Sequence, residues 1–185
     1  MQELLRDIVP LRWSDDIGLG MSVAVIGFGK MGSLHAGILN LLVPGIIKAI
    51  VDKSRLIVFA ASKLIKIARF YNNIDRMIEN ERPNIVYVTT PTSSHYPVLK
   101  RLLKLGVKYI FVEKPPVVNY SQLKEIISAK SPDQYIMVGL QKRYVLSFRH
   151  AKLLLESSIL GDIKYVHAYI KSGDVTVPTT RFDTI

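Results

Sequence analysis

The stretch Val23-Ala24-Val25-Ile26-Gly27-Phe28-Gly29-Lys30-Met31-Gly32 decides the fold. Its first four residues are apolar and mostly β-branched, the mark of a short strand buried on both faces. The Gly-x-Gly-x-x-Gly that follows runs into a helical pattern expected from Gly32 to about Leu41. Between a strand and a helix, the three glycines have separable tasks. Gly27 allows the tight turn, Gly29 lets a pyrophosphate approach the backbone, and Gly32 permits close packing of helix on strand. The helix start adds unpaired N–H groups and the positive end of its dipole. Asp52 stands 20 residues after Gly32, at the end of the next apolar run, where a carboxylate can accept hydrogen bonds from both ribose hydroxyls of an adenosine. Gly27, Phe28, Gly29, Lys30, Met31, Gly32 and Asp52 therefore read as a dinucleotide-binding set. Asp52 would repel a 2′-phosphate, which favours NAD; Lys53 and Arg55, just beyond it, could hold that phosphate and leave NADP as the alternative.

Outward from this motif, short β-rich runs alternate with longer helical patterns, as in βαβ units around a parallel sheet. Strands are expected at Val23–Ile26, Ile46–Val51, Ile85–Thr89, Lys108–Val112 and Tyr135–Gly139. After the first helix, further helices are expected from Ser54 to about Phe70, around Asp75–Asn80, from Ser93 or Ser94 to Leu105, and to Ala129 from a cap at Ser121. Tyr71–Ile74 reads as a link. Five strands and their helices make one doubly wound α/β domain, a Rossmann sheet, over residues 21–144. Beyond Tyr144 an amphipathic helix is expected over Ser147–Ser158, stopped by Gly161, and Ile163–Ile170 reads as a strand. Residues 145–185 thus form the start of a second domain, and residues 1–20 an extension outside the fold.

Composition narrows the chemistry. With 185 residues, 49% hydrophobic and 22% charged, the chain has material for one well-buried core. It has no cysteine, which excludes disulfide scaffolds, thiolate metal sites and cysteine nucleophiles. Its longest apolar stretch, Ile38–Val51, is broken by Asn40, Pro44, Gly45 and Lys48, short of the roughly 18 to 20 apolar residues that a bilayer span needs. No membrane partner is expected. Residues 1–20 carry a net −2 and residues 21–185 a net +12. The cations are spread over nearly every helix, which favours a solvated basic surface over a nucleic-acid face. The first twenty residues lack the pattern of a secretory signal, so a cytoplasmic address is expected.

Three further segments follow strands. They are Thr89-Thr90-Pro91-Thr92-Ser93-Ser94-His95, Glu113-Lys114-Pro115, and Val138-Gly139-Leu140-Gln141-Lys142-Arg143-Tyr144. With Gly27-Phe28-Gly29-Lys30-Met31-Gly32-Ser33-Leu34-His35-Ala36, in that order and spacing, the chain from about Ser22 to Ile170 resembles the dinucleotide-binding half of the glucose-fructose oxidoreductase, inositol dehydrogenase and rhizopine-catabolism (Gfo/Idh/MocA) family. The resemblance implies hydride transfer between a nicotinamide and a sugar, cyclitol or related polyol. It implies that Lys114, the catalytic residue of this half, contacts the nicotinamide ribose and the substrate, where an ammonium stabilises developing alkoxide charge and relays a proton. The Lys-Pro peptide is often cis in this family. By the same resemblance Thr90 and Pro91 form the loop over the nicotinamide side, with His95 and Glu113 beside it, and Gln141 and Arg143 lie at the hinge between domains. His35 reads as packing on the first helix; His150 and His167 match no motif and read as surface residues.

Complete members of the family continue for well over a hundred further residues, through a mostly antiparallel sheet that carries an acid/base aspartate and histidine. On that comparison Ile163–Ile170 is the first strand of a sheet missing from this chain. The expected partners are a second copy or a separately encoded substrate domain, and the chain alone lacks the acid/base pair. The competing reading is a non-catalytic NAD(P)-binding module or partner subunit.

Overall fold

The computed structural model describes residues 20–64, 68–157, 159 and 161–169. The expectation for residues 1–20 therefore lies, apart from Gly20, outside the described residues. The chain divides after Tyr144, and the two units are described separately.

In the first unit, six parallel strands form one sheet in the order β3-β2-β1-β4-β5-β6. They are β1 (Val23–Ile26), β2 (Ile47–Val51), β3 (Arg69–Tyr71), β4 (Ile85–Val88), β5 (Tyr109–Val112) and β6 (Tyr135–Val138). The crossover helices are α1 (Lys30–Leu42), α2 (Arg55–Leu64), α3 (Ile74–Glu81), α4 (Thr92–Lys104) and α5 (Tyr120–Ala129). This is the doubly wound order, with its reversal between β1 and β4, the place where such sheets bind ligands beyond the carboxyl ends of their strands.

The alternation of side chains across the sheet explains why the strands read as continuous apolar runs. Val23 and Val25 pack with Ala36 of α1 on one face. Ala24 and Ile26 pack on the other with Met77, Leu99, Leu102 and Ile126, from α3, α4 and α5. The charged Lys48 inside β2 is tolerated because the register with β1 slips there, pairing Val23 with Ile47 and Ala24 with Ala49. The extra residue is turned to solvent.

Four expectations need correction. Among the described residues there are six strands, not five. The helix expected to reach Phe70 is described only to Leu64, and Arg69–Tyr71 pairs with Ala49–Val51 as an edge strand. The apolar residues of 54–70 matched a helical period, while the pairing that converts Phe70 and Tyr71 to strand is contributed by β2, remote in sequence. The cap of α5 is Asn119, whose side chain accepts from the Gln122 N–H at 2.9 Å, and not Ser121. Helix α4 starts at Thr92, one residue ahead of Ser93, with Pro91 at its N-cap.

In the second unit, α6 (Leu146–Glu156) covers most of the expected helix. Over the expected strand, residues 163–169 form no β ladder with any described residue, and Tyr165, Val166 and Tyr169 are exposed. A strand exists by pairing its N–H and C=O groups with a neighbour, and no described residue does so here. Ile170 and the tail beyond it lie outside the described residues.

Candidate functional site: the carboxyl ends of β1, β2, β4 and β5

The glycine-rich turn has the geometry its sequence implies. Gly27 has φ +88°, and a Cβ there would lie 2.8 Å from the Thr90 backbone. A Cβ on Gly32 would lie 2.0 Å from the Gly27 carbonyl oxygen, so α1 leaves the sheet at a distance only glycine permits. Gly29 differs: an added Cβ would meet nothing within 4 Å. This glycine is not required by packing. It keeps clear the approach to the first turn of α1, which carries no side-chain cap and no acidic residue and so presents its free N–H groups outward. Lys30 is exposed beside it and Met31 is half-buried.

Asp52 closes the turn from the side. Its Oδ2 accepts from the Phe28 N–H at 2.7 Å and its Oδ1 from the Ser54 N–H at 2.8 Å. Its own N–H donates to the Tyr71 carbonyl at 3.1 Å, so the unexpected strand β3 helps to place the carboxylate. Each oxygen keeps a lone pair for a further donor, and the side chain is partly exposed. An uncapped helix start, open space at Gly29 and a half-engaged carboxylate suit a dinucleotide. Lys53 is exposed, and Arg55 opens α2.

Across the sheet reversal, the Thr89 hydroxyl donates to the Gly27 carbonyl at 2.7 Å and ties the end of β4 to the glycine turn. Thr90 Oγ1 is buried without a hydrogen-bond partner among the described residues. Pro91 is exposed at the head of α4. His95, 1% exposed, has Nε2 at 2.8 Å from the Thr90 carbonyl oxygen and Nδ1 at 2.8 Å from that of Pro115. The ring thus lies between two loops of the site, its N–H donating to one of the two carbonyls.

Lys114 follows β5, exposed, with a cis peptide to Pro115. It borders a cavity of about 350 Å³ with Leu140, Gln141, Lys142 and Arg143, of which the last three lie in a single 3₁₀ turn, Gln141–Tyr144. Glu113 is nearly buried. Its Oε1 pairs with His35 Nε2 at 2.7 Å and lies 3.4 Å from Gln141 Nε2, while Oε2 accepts from the Lys114 N–H at 3.2 Å. The His35 ring sits against Tyr87 and Phe111, with centroids 5.6 and 5.0 Å away. Burial among these rings pushes the Tyr87 phenol above the ordinary tyrosine range. His35 was thus placed on the correct helix, while its bond to Glu113 was missed; its position one helical turn past Gly32 was the available signal. His150 and His167 are exposed in the second unit. The described residues contain no cluster suited to a metal ion, and none of their helices is long and apolar enough to cross a membrane.

The model of the Gfo/Idh/MocA oxidoreductase family, described as an NAD-binding Rossmann fold, matches residues 21–140. The chain belongs to this family. Among its relatives, the myo-inositol 2-dehydrogenase of Thermotoga maritima is 25% identical over 142 residues, 76% of this chain and 42% of that protein. The inositol 2-dehydrogenase of Salmonella typhimurium is 26% identical over 151 residues, 80% of this chain and 45% of that protein. A crystal structure of scyllo-inositol dehydrogenase from Lactobacillus casei, with bound NAD(H) and scyllo-inositol, superposes with a TM-score of 0.67. It is 20% identical, and the match covers 77% of this chain and 42% of that one. The chain thus spans about two-fifths of the length of these relatives, the part that holds the nucleotide-binding fold.

Proposed function

We propose that residues 21–144 bind NAD across the reversal between β1 and β4, and that the bound nucleotide exchanges a hydride with an inositol-like polyol or sugar beside Lys114. The observation that carries this reading is the Asp52 carboxylate, bonded to Phe28 N inside the glycine turn and still able to accept from ribose hydroxyls. Phe28, Gly29, Lys30 and Met31 would line the pyrophosphate, and Thr90, Pro91, Glu113 and Lys114 the nicotinamide side, with His95 holding their loops together. Gly27 and Gly32 shape the turn. Asp52 favours NAD, and Lys53 is the group that would face a 2′-phosphate in NADP.

NAD supplies or accepts the hydride when bound. Lys114 would orient the reacting hydroxyl or carbonyl, stabilise developing charge on its oxygen and relay its proton. The second reading, a nucleotide-binding module or partner subunit, is separated from the first by a turnover assay. Association with a second copy or a separate substrate domain, and the cytoplasmic address, are proposed from the sequence alone.

Titration of the chain with NADH, followed by nicotinamide fluorescence, tests the binding step, and saturable enhancement is expected. Incubation with NAD and myo-inositol, read at the absorbance of NADH, then separates the two readings: turnover supports the oxidoreductase, and binding without turnover supports the module.

A further inference from the structure

Lys114 has no regular structure of its own to hold it, yet both of its neighbours are anchored by buried or half-buried histidines from different helices. Ahead of it, Glu113 is held by His35 of α1 at 2.7 Å, and the same carboxylate accepts from the Lys114 N–H. Behind it, His95 of α4 stands between the Pro115 and Thr90 carbonyls, each 2.8 Å from a ring nitrogen, and its N–H donates to one of them. The His35 side of this bracket has little freedom. The Tyr87 and Phe111 rings stack at 4.6 Å beside the imidazole, and a Cβ on Gly139 would come within 2.8 Å of Phe111 Cζ. Because His35 lies on the helix that begins at the glycine turn, a shift of α1 would be transmitted to Glu113 and so to the Lys114 backbone.

We propose that His35, with His95 as the opposing anchor, is a positioning residue that sets Lys114 in register with the glycine-rich helix. It contacts neither nucleotide nor substrate and acts through Glu113. The two ends of the nucleotide groove are then one mechanical unit: the helix that would receive the pyrophosphate also places the cation at the nicotinamide end. This inference rests on the proposed NAD reading for its binding consequence, and on the chain's own geometry for the rest.

His35→Phe keeps a ring against Tyr87 and Phe111 and removes the donor, whereas His35→Gln restores an N–H of similar reach. In ¹H–¹⁵N spectra of the free chain, the Lys114 amide resonance is expected to move in His35→Phe and to return toward its wild-type position in His35→Gln. By calorimetry, His35→Phe is expected to weaken NADH by about five- to tenfold, the equivalent of one ordinary hydrogen bond. ADP, which lacks the nicotinamide half, should bind both proteins alike. An unmoved Lys114 amide in His35→Phe overturns the proposal, as does a parallel loss of NADH and ADP that His35→Gln does not restore. Should His35→Phe fail to fold, His35→Leu is read by the same amide and the same pair of ligands. A wild-type chain that binds neither NADH nor ADP would refute the nucleotide reading, while the amide shift would still decide the role of His35.

Discussion

The two ends of the candidate groove are built on opposite principles. At Gly27–Gly32 the parts are contiguous and the working surface is backbone: one positive φ, two close approaches, one open position and one uncapped helix start. At Lys114 the parts come from four separate segments, and the contacts are made by the side chains of His35, His95, Glu113 and Gln141, with the Thr90 and Pro115 carbonyls facing His95. A backbone site tolerates change wherever no Cβ is forbidden. A side-chain site depends on each donor having its acceptor.

Substitutions at Gly32 and Gly29 should break this comparison most sharply. Gly32→Ala drives a Cβ into the Gly27 carbonyl, and a loss of about 3 kcal/mol in stability is expected from such overpacking, read as a lower urea midpoint. Gly29→Val should leave that midpoint unchanged and abolish NADH binding, because the branched side chain enters space that only a ligand would use. Wild-type affinity in Gly29→Val would remove the phosphate-loop assignment. Asp52→Ala comes next, with NADH weakened by about 1.5 to 3 kcal/mol through loss of a charged acceptor; equal fluorescence titrations of the two proteins would take Asp52 out of the site.

The smallest effect is expected away from the groove and serves as its control. The Arg101 guanidinium, 2.6 Å from Asp75, holds that carboxyl below its usual range. A carboxyl lowered in the folded state stabilises the fold above its unfolded pKa, and this contribution is lost as the pH falls through the folded one. Arg101→Met should therefore lower thermal stability slightly at pH 7 and reduce its fall on acidification, with NADH affinity unaltered. A changed NADH affinity would show that the groove is coupled to this exposed pair.

How much of this was legible beforehand follows from the same contrast. The glycine turn, Asp52 and the order of the βα units could be read because each is local: a strand period, a glycine spacing, a helix start. Strand β3 could not, since Arg69–Tyr71 takes its identity from pairing with Ala49–Val51. The same holds for Ile163–Ile170: alternation marks a capacity to pair, and residues 163–169 form no ladder with any described residue. The bond between His35 and Glu113 joins residues 78 positions apart, and no periodicity within either helix or strand encodes it. Lys114 was picked out by family resemblance, while the bonds that seat it became visible only in three dimensions.

The sheet reversal also sets a rule for anyone recombining this domain with a relative. Crossing over near Arg82 and Pro83 would exchange one mononucleotide-binding half for another and leave every strand intact. It would nonetheless split Ser22 from Asn84, Gly27 from Thr89, and His35 from Glu113, pairs bonded across the junction. Chimeras that inherit both members of each pair from one parent should retain a seated lysine. Those that mix parents would carry two well-folded halves whose shared groove no longer closes on a common geometry.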